Sequence, residues 1–97
     1  MKKLAIIIPA YKPRFLQETL DSIAKQTSHE FTVYIGDDAS PYPLKTIVDH
    51  YKNKFDIIYH RFEQNMGKKD LPGHWERCIL LSEEELIWLF SDDDLMP

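Results

Sequence analysis

Apolar residues along this chain follow two alternating rhythms. Leu4 to Ile8 is an unbroken, β-branched apolar run, the pattern of a strand buried on both faces of a parallel sheet. Pro9, which has no N–H to give a ladder, is expected to end it. From Pro13 the spacing changes: Leu16, Leu20, Ile23 and Ala24 recur at i, i+4, i+7 and i+8, one face of a helix. Phe31 to Ile35 reads as a second strand, with Gly36-Asp37-Asp38-Ala39-Ser40-Pro41 as its turn. Leu44, Ile47, Val48 and Tyr51 mark a second helix face, and Phe55 to Tyr59, with a possible extension to Phe62, a third strand. Glu63 to Gly73 is polar, carries two glycines and a proline, and reads as a loop. Trp75, Cys78 and Ile79, with Leu81 nearby, give a third helix stripe, and Leu86 to Phe90 a fourth strand.

The order β-α-β-α-β-α-β predicts an α/β fold, a Rossmann-like three-layer α/β/α arrangement around a mostly parallel sheet. Ligands of such sheets bind outside the carboxyl ends of the strands. The unusual polar clusters fall there: Ala10-Tyr11-Lys12, Asp37-Asp38-Ala39-Ser40, Asn65-Met66-Gly67-Lys68-Lys69 and Asp92-Asp93-Asp94 follow the four strands in turn. Four such loops on one rim are a stronger signal than any one alone.

Composition narrows the possibilities. The chain has 97 residues, room for one domain, and 43% are hydrophobic, enough for a small core. A net charge of −4 argues against nucleic-acid binding by bulk electrostatics. One cysteine, Cys78, precludes an internal disulfide and fits a reducing compartment, so a cytoplasmic location is expected. Met1 to Pro9 begins like a signal peptide, but its apolar part is too short and Pro9, Lys12 and Arg14 interrupt it. No stretch approaches a membrane-spanning length, and no membrane contact is evident. The three glycines lie far apart, so no glycine-rich phosphate loop exists.

The aspartate triplet carries the most chemistry. Three adjacent like charges repel one another and give a core nothing, and a helix cap needs only one. Hard divalent cations take oxygen ligands, often one or two carboxylates plus substrate phosphates, so the triplet points to Mn²⁺ or Mg²⁺ and phosphate-ester chemistry. In an extended segment Asp92 and Asp94 point one way and Asp93 the other. Of Asp37 and Asp38, one suits a turn that binds its own backbone, and the other a ligand's N–H or hydroxyl groups. Tyr11 is either an aromatic packed on the sheet or a wall for a planar base. Lys68 and Lys69 are either a solvated pair or a counter-charge for a diphosphate. His74 reads as structural or surface, and Cys78, on an apolar helix face, as an inert core thiol.

These residues, taken together, resemble the amino-terminal half of a family 2 glycosyltransferase with the GT-A fold, over essentially the whole chain. Ile6-Ile7-Ile8-Pro9-Ala10-Tyr11-Lys12 resembles the family's opening strand, and Leu20-Asp21-Ser22-Ile23 with Gln26-Thr27 its first helix. Ile35-Gly36-Asp37-Asp38-Ala39-Ser40 is similar to its Asp-Asp-Gly-Ser turn, Asn65-Met66-Gly67 to its Asn-x-Gly loop, and Ser91-Asp92-Asp93-Asp94 to its Asp-x-Asp metal motif. Ala39 stands where the family usually has glycine, and Lys12 where it has asparagine.

The resemblance implies a nucleotide-diphosphate sugar, commonly UDP-linked, on Pro9, Ala10, Tyr11, Asp38, Asn65, Gly67, Lys68, Asp92 and Asp93. It implies Mn²⁺ or Mg²⁺ on Asp94 and Asp92, with Asp93 and Asp94 as the alternative pair. It further implies a carbohydrate or lipid-linked acceptor attacking with inversion, and polysaccharide or cell-wall biosynthesis, in the full-length protein peripherally at the inner membrane face. The expectation is also that the acceptor-binding half and the catalytic base lie beyond Pro97, leaving a donor-binding fragment with an uncovered sheet edge that invites homo-oligomers. Two other readings stay open: a non-catalytic nucleotide-binding module, and a Mg²⁺-dependent receiver-like phosphoacceptor. The latter wants an acidic pair after the first strand, where Ala10-Tyr11 stands.

Overall fold

The computed structural model of the chain describes residues 4–26 and 30–90. Strands β1 (Leu4–Ala10), β2 (Phe31–Asp37), β3 (Asp56–Arg61) and β4 (Leu86–Leu89) alternate with helices α1 (Pro13–Ala24), α2 (Leu44–Asp49) and α3 (Leu71–Ile79). All strand pairs are parallel, in the order β3-β2-β1-β4. The chain thus moves outward from β1 to β3 and returns to the other side of β1. A sheet wound this way has its crevice where the direction reverses, at the carboxyl ends of β1 and β4.

The apolar runs explain the layers. One side of the sheet sends Ile6, Ile8, Val33 and Ile35 into a core with Leu16 and Leu20 of α1 and Leu44 and Val48 of α2. The other side sends Ala5, Ile7 and Tyr34 against Cys78 of α3. Successive residues of a strand face opposite ways, so a sheet covered on both faces requires continuous apolar runs. Gly36 lets α3 come close: a Cβ there would stand 2.3 Å from Cys78 Sγ. Burial pushes the Cys78 thiol up to about 12, as expected of an inert core cysteine.

Several expected boundaries move. Pro9 does not end the first strand, which continues through Ala10 with Pro9 opposite Gly36. Residues of a parallel strand alternate between neighbours. The Ile7 carbonyl accepts the Phe90 N–H at 2.8 Å on the β4 side, and the Ala10 carbonyl accepts the Asp38 N–H at 2.9 Å on the β2 side. Pro9 therefore faces β4, and its missing N–H removes no bond to β2. The expected loop to Gly73 ends earlier, because α3 begins at Leu71. Asp70 caps it, accepting the Gly73 N–H at 3.0 Å, and Pro72 lies in the first turn, where no N–H is needed. The second strand runs two residues further than expected, to Asp37, and the third, Asp56–Arg61, ends inside the extension allowed for it.

Candidate functional site

Register builds the site. Ala10, Asp37 and Arg61 lie side by side in one row at the carboxyl ends of β1, β2 and β3. Asp37 shares its sheet face with Val33 and Ile35, and Asp38 turns to the opposite side, toward α3. The adjacent aspartates consequently do different work.

Asp37 is fully buried. Its Oδ1 accepts the Ser40 N–H at 2.9 Å, closing the turn, and its Oδ2 accepts from the Tyr59 hydroxyl and from Arg61 Nη1 at 3.1 Å. Burial, then the bond to Asp37, pushes the Tyr59 phenol up to about 12, so Tyr59 remains a donor. Arg61 Nη1 also donates to the Ser40 carbonyl at 2.9 Å, and the Ser40 hydroxyl donates to the Tyr11 carbonyl at 2.6 Å. Asp37 thereby fixes the turn that carries Asp38 and ties it to the loop after β1.

Asp38, 4% exposed, organises the loop after β3. Its Oδ1 accepts the Met66 N–H at 2.7 Å and Arg77 Nη2 at 2.7 Å, and its Oδ2 accepts the Gly67 N–H at 2.8 Å. Gly67 has no room for a side chain, since a Cβ would stand 2.6 Å from that Oδ2. Asn65 Nδ2 donates to the Asp38 carbonyl at 3.0 Å, and Asn65 Oδ1 accepts the Lys68 N–H at 3.2 Å. His74 Nδ1 stands 3.7 Å from Asp38 Oδ1, too far for a hydrogen bond, and instead accepts from Arg77 Nε at 3.0 Å. Burial, with Arg77 adding to it and Asp38 opposing, lowers the His74 pKa, so the imidazole is neutral and structural.

Tyr11, Asp38, Asn65, Gly67, Lys68 and Leu71 line a pocket of about 160 Å³. Five of these were expected from sequence, and they come from loops after three different strands. Lys68 Nζ lies 5.8 Å from the centre of the Tyr11 ring. A carboxylate oxygen accepts up to two hydrogen bonds, and one neighbour bonds Asp38 Oδ2, so it retains capacity for a ligand's N–H. An aromatic ring, a carboxylate acceptor and an exposed ammonium suit a planar, N–H-bearing group attached to an anion. Pro9 and Ala10, also expected at the site, are buried in β1 and are not among the residues that line the pocket, although the Ala10 carbonyl accepts the Asp38 N–H. Sequence reasoning missed Arg77, Arg61, Tyr59 and Leu71. Their roles depend on register and on the way α3 packs, which leave no local signal. Asp92, Asp93 and Asp94 lie outside the described residues, and among the described residues no cluster of three or more His, Cys, Asp or Glu could hold a metal.

A second, more apolar cavity of about 340 Å³ lies between α1, β1 and β4, lined by residues including Ile6, Ile23, Trp88 and Phe90. It is larger, but it offers no convergent set of charged groups of the kind that fix a polar ligand.

Comparison with known proteins follows the same outline. The sequence profile described as Glycosyl transferase family 2 matches residues 5–97. The poly(ribitol-phosphate) beta-N-acetylglucosaminyltransferase TarS of Staphylococcus aureus (strain Mu50 / ATCC 700699) is 34% identical over 97 residues, which cover 97% of this chain and 16% of that protein. The crystal structure of S. aureus TarS 1-349 in complex with UDP superposes with a TM-score of 0.79 at 29% identity, over 96% of this chain and 28% of that one. The complex of TarS 1-349 with UDP-GlcNAc gives a TM-score of 0.79 at 29% identity, over 96% and 27%. This chain therefore spans about a sixth of the curated relative it matches.

Proposed function

The chain belongs to glycosyl transferase family 2, and from that premise we propose that it forms the donor-binding part of an inverting glycosyltransferase that takes a UDP-linked sugar. The observation that carries this is the pocket in which Tyr11, Asp38, Asn65, Gly67 and Lys68 meet. The uracil ring lies against Tyr11, with its N–H donated to Asp38 Oδ2. Lys68 stands near the diphosphate side, where its positive charge favours an anion. UDP and UDP-GlcNAc complexes of TarS, a neighbour of the same fold, support this class of donor.

An acceptor hydroxyl of a carbohydrate or a lipid-linked glycan attacks the anomeric carbon. The bond to the diphosphate breaks as the new one forms, UDP leaves, and a carboxylate base takes the proton. Configuration inverts in that single displacement. Mn²⁺ or Mg²⁺, held by Asp92 and Asp94, belongs to the proposal on the sequence motif alone, and when bound would offset the charge developing on the leaving diphosphate.

Calorimetric titration of UDP into the chain, first with Mn²⁺ and then with EDTA, tests the reading. Binding that requires the metal and is lost in Asp94→Ala supports it, and comparing Asp92→Ala with Asp93→Ala assigns the partner carboxylate. Binding that persists in EDTA would favour a nucleotide module without metal-assisted transfer. No binding in either condition would overturn the donor reading.

A further inference from the structure

Arg77 lies nearly two turns into α3, outside the residues that line the pocket, yet it makes three hydrogen bonds and a ring contact with the pocket's framework. Its Nη2 donates to Asp38 Oδ1 at 2.7 Å and to the Gln64 carbonyl at 3.0 Å. Its Nε donates to His74 Nδ1 at 3.0 Å, and its guanidinium lies 3.9 Å from the centre of the Phe62 ring. One planar cation thus joins the turn after β2, the loop after β3 and the face of α3. The Arg77 side chain is 20% exposed and that of Asp38 5%, so the ion pair lies mostly away from water.

We propose that Arg77 is a positioning residue for base selection, holding the Asp38 carboxylate in the orientation from which its second oxygen reads a ligand's N–H. The inference rests on the donor reading above and extends it to a residue that does not touch the nucleotide. The geometry behind it is a division within one carboxylate. Oδ1 is occupied by Arg77 and the Met66 amide, and Oδ2 by the Gly67 amide alone. With Oδ1 held, rotation of the carboxylate about its Cβ–Cγ bond would break two bonds at once, so Oδ2 stays at the pocket. Arginine suits this work because its fork reaches Asp38, Gln64 and His74 together, and its plane stacks on Phe62. Lysine, a point charge, can keep the charge but not all three contacts. Without the cation, a buried carboxylate with two amide donors has lost its counter-charge, and both its orientation and the 64–67 loop become free to shift.

A pyrimidine base distinguishes this from general structural support. The uracil ring presents an N–H where the cytosine ring presents a bare acceptor nitrogen. A carboxylate oxygen fixed at that position favours UDP over CDP, and a carboxylate that can rotate loses the preference. Loss of folded protein, by contrast, lowers both affinities equally and leaves their ratio unchanged.

The experiment is calorimetric titration of UDP and of CDP, with Mn²⁺, into the wild-type chain, Arg77→Met and Arg77→Lys, with circular dichroism to confirm folding. Methionine retains an apolar stem against Phe62. The wild type should prefer UDP. Arg77→Met should lose about tenfold in UDP affinity, the scale of one charge-assisted hydrogen bond, with the UDP-to-CDP ratio falling toward one. Arg77→Lys should fall between the two. Should Arg77→Met not fold, the ratio in Arg77→Lys decides alone. A folded variant with the wild-type ratio would overturn the role of Arg77 and leave the donor reading intact. A wild type that binds neither nucleotide would overturn both.

Discussion

The carboxyl rim of β2 and β3 and the strand β4 are built on opposite principles. At the rim two buried carboxylates are each met by one arginine, Asp37 also by the Ser40 amide of its turn and the Tyr59 hydroxyl, and Asp38 also by the Met66 and Gly67 amides of the loop after β3. β4 is apolar on both faces, yet Leu86, Ile87 and Trp88 are 60%, 45% and 54% exposed. Next to it, the hydroxyl of Thr19 is buried in the 340 Å³ cavity's lining and has no hydrogen-bond partner among the described residues. The rim is thus specified by contacts that these residues supply to one another, whereas β4 carries apolar surface that they leave uncovered. A binding site must be rigid before its ligand arrives, and a closed polar network provides that rigidity only when every member is satisfied.

The contrast can be broken at its strongest point first. Asp37→Ala removes the acceptor shared by Ser40, Tyr59 and Arg61 and leaves buried donors unpaired, so stability should fall by about 3 kcal/mol. A urea midpoint that drops at unchanged slope would register the loss. A change below about 0.5 kcal/mol would mean that the network is ornamental. The same substitution should also loosen Asp38, since the turn that carries it depends on Asp37.

A smaller effect comes from His74, whose ring faces Asp38, Arg77 and Cys78. Its pKa is lowered in the fold, so below the ordinary value of 6.5 the unfolded chain takes up the proton before the folded one. The stability from His74 is therefore fully present above that pH and is lost as pH falls through it, at a slope of at most one proton, about 1.4 kcal/mol per pH unit. Urea melts at pH 7.5 and 5.5 should show this slope in the wild type, and His74→Gln should flatten it. An unchanged slope in the variant would assign the pH response elsewhere.

The smallest effect belongs to β4. Leu86→Lys replaces an exposed side chain and should leave the urea midpoint within about 0.5 kcal/mol of wild type. A loss of several times that would show that β4 is as tightly specified as the rim, and the comparison would fail.

Much of this arrangement was legible in the chain. β1 and β2 announce themselves as apolar, β-branched runs because both faces of each are covered, whereas β3 and β4 show the same signal over shorter stretches although much of their surface is exposed, and the rim follows from where those runs stop. The residues alone leave the division between Asp37 and Asp38 as a choice, one aspartate for the turn and one for a ligand, and the resemblance points to Asp38 for the ligand. Strand register gives that division its physical cause, sending Asp37 to the side of α1 and α2 and Asp38 toward α3. Arg77 could not be found from its neighbours, since the partners that tie it to the site, Gln64 and Asp38, lie 13 and 39 positions away in sequence. Pro9 misled because a proline usually ends a strand, and only the alternation of hydrogen-bond partners reveals that its missing N–H faces away from β2. Ala39, which departs from the family's usual glycine, takes a φ of 54°. That is the left-handed region where a Cβ costs about 1 kcal/mol, which gives the family's preference a physical cause.

The central claim is that a nucleotide binds where the loops after β1, β2 and β3 converge. Titrating UDP, with the diamagnetic Mg²⁺, into ¹⁵N-labelled chain and following each backbone amide tests it most directly. The account predicts shifts concentrated at Tyr11, Asp38 and residues 65–68, with Leu4, Thr19 and Ile23 around the larger cavity unmoved. Shifts centred on that apolar cavity, with the Asn65–Lys68 amides unchanged, would contradict it.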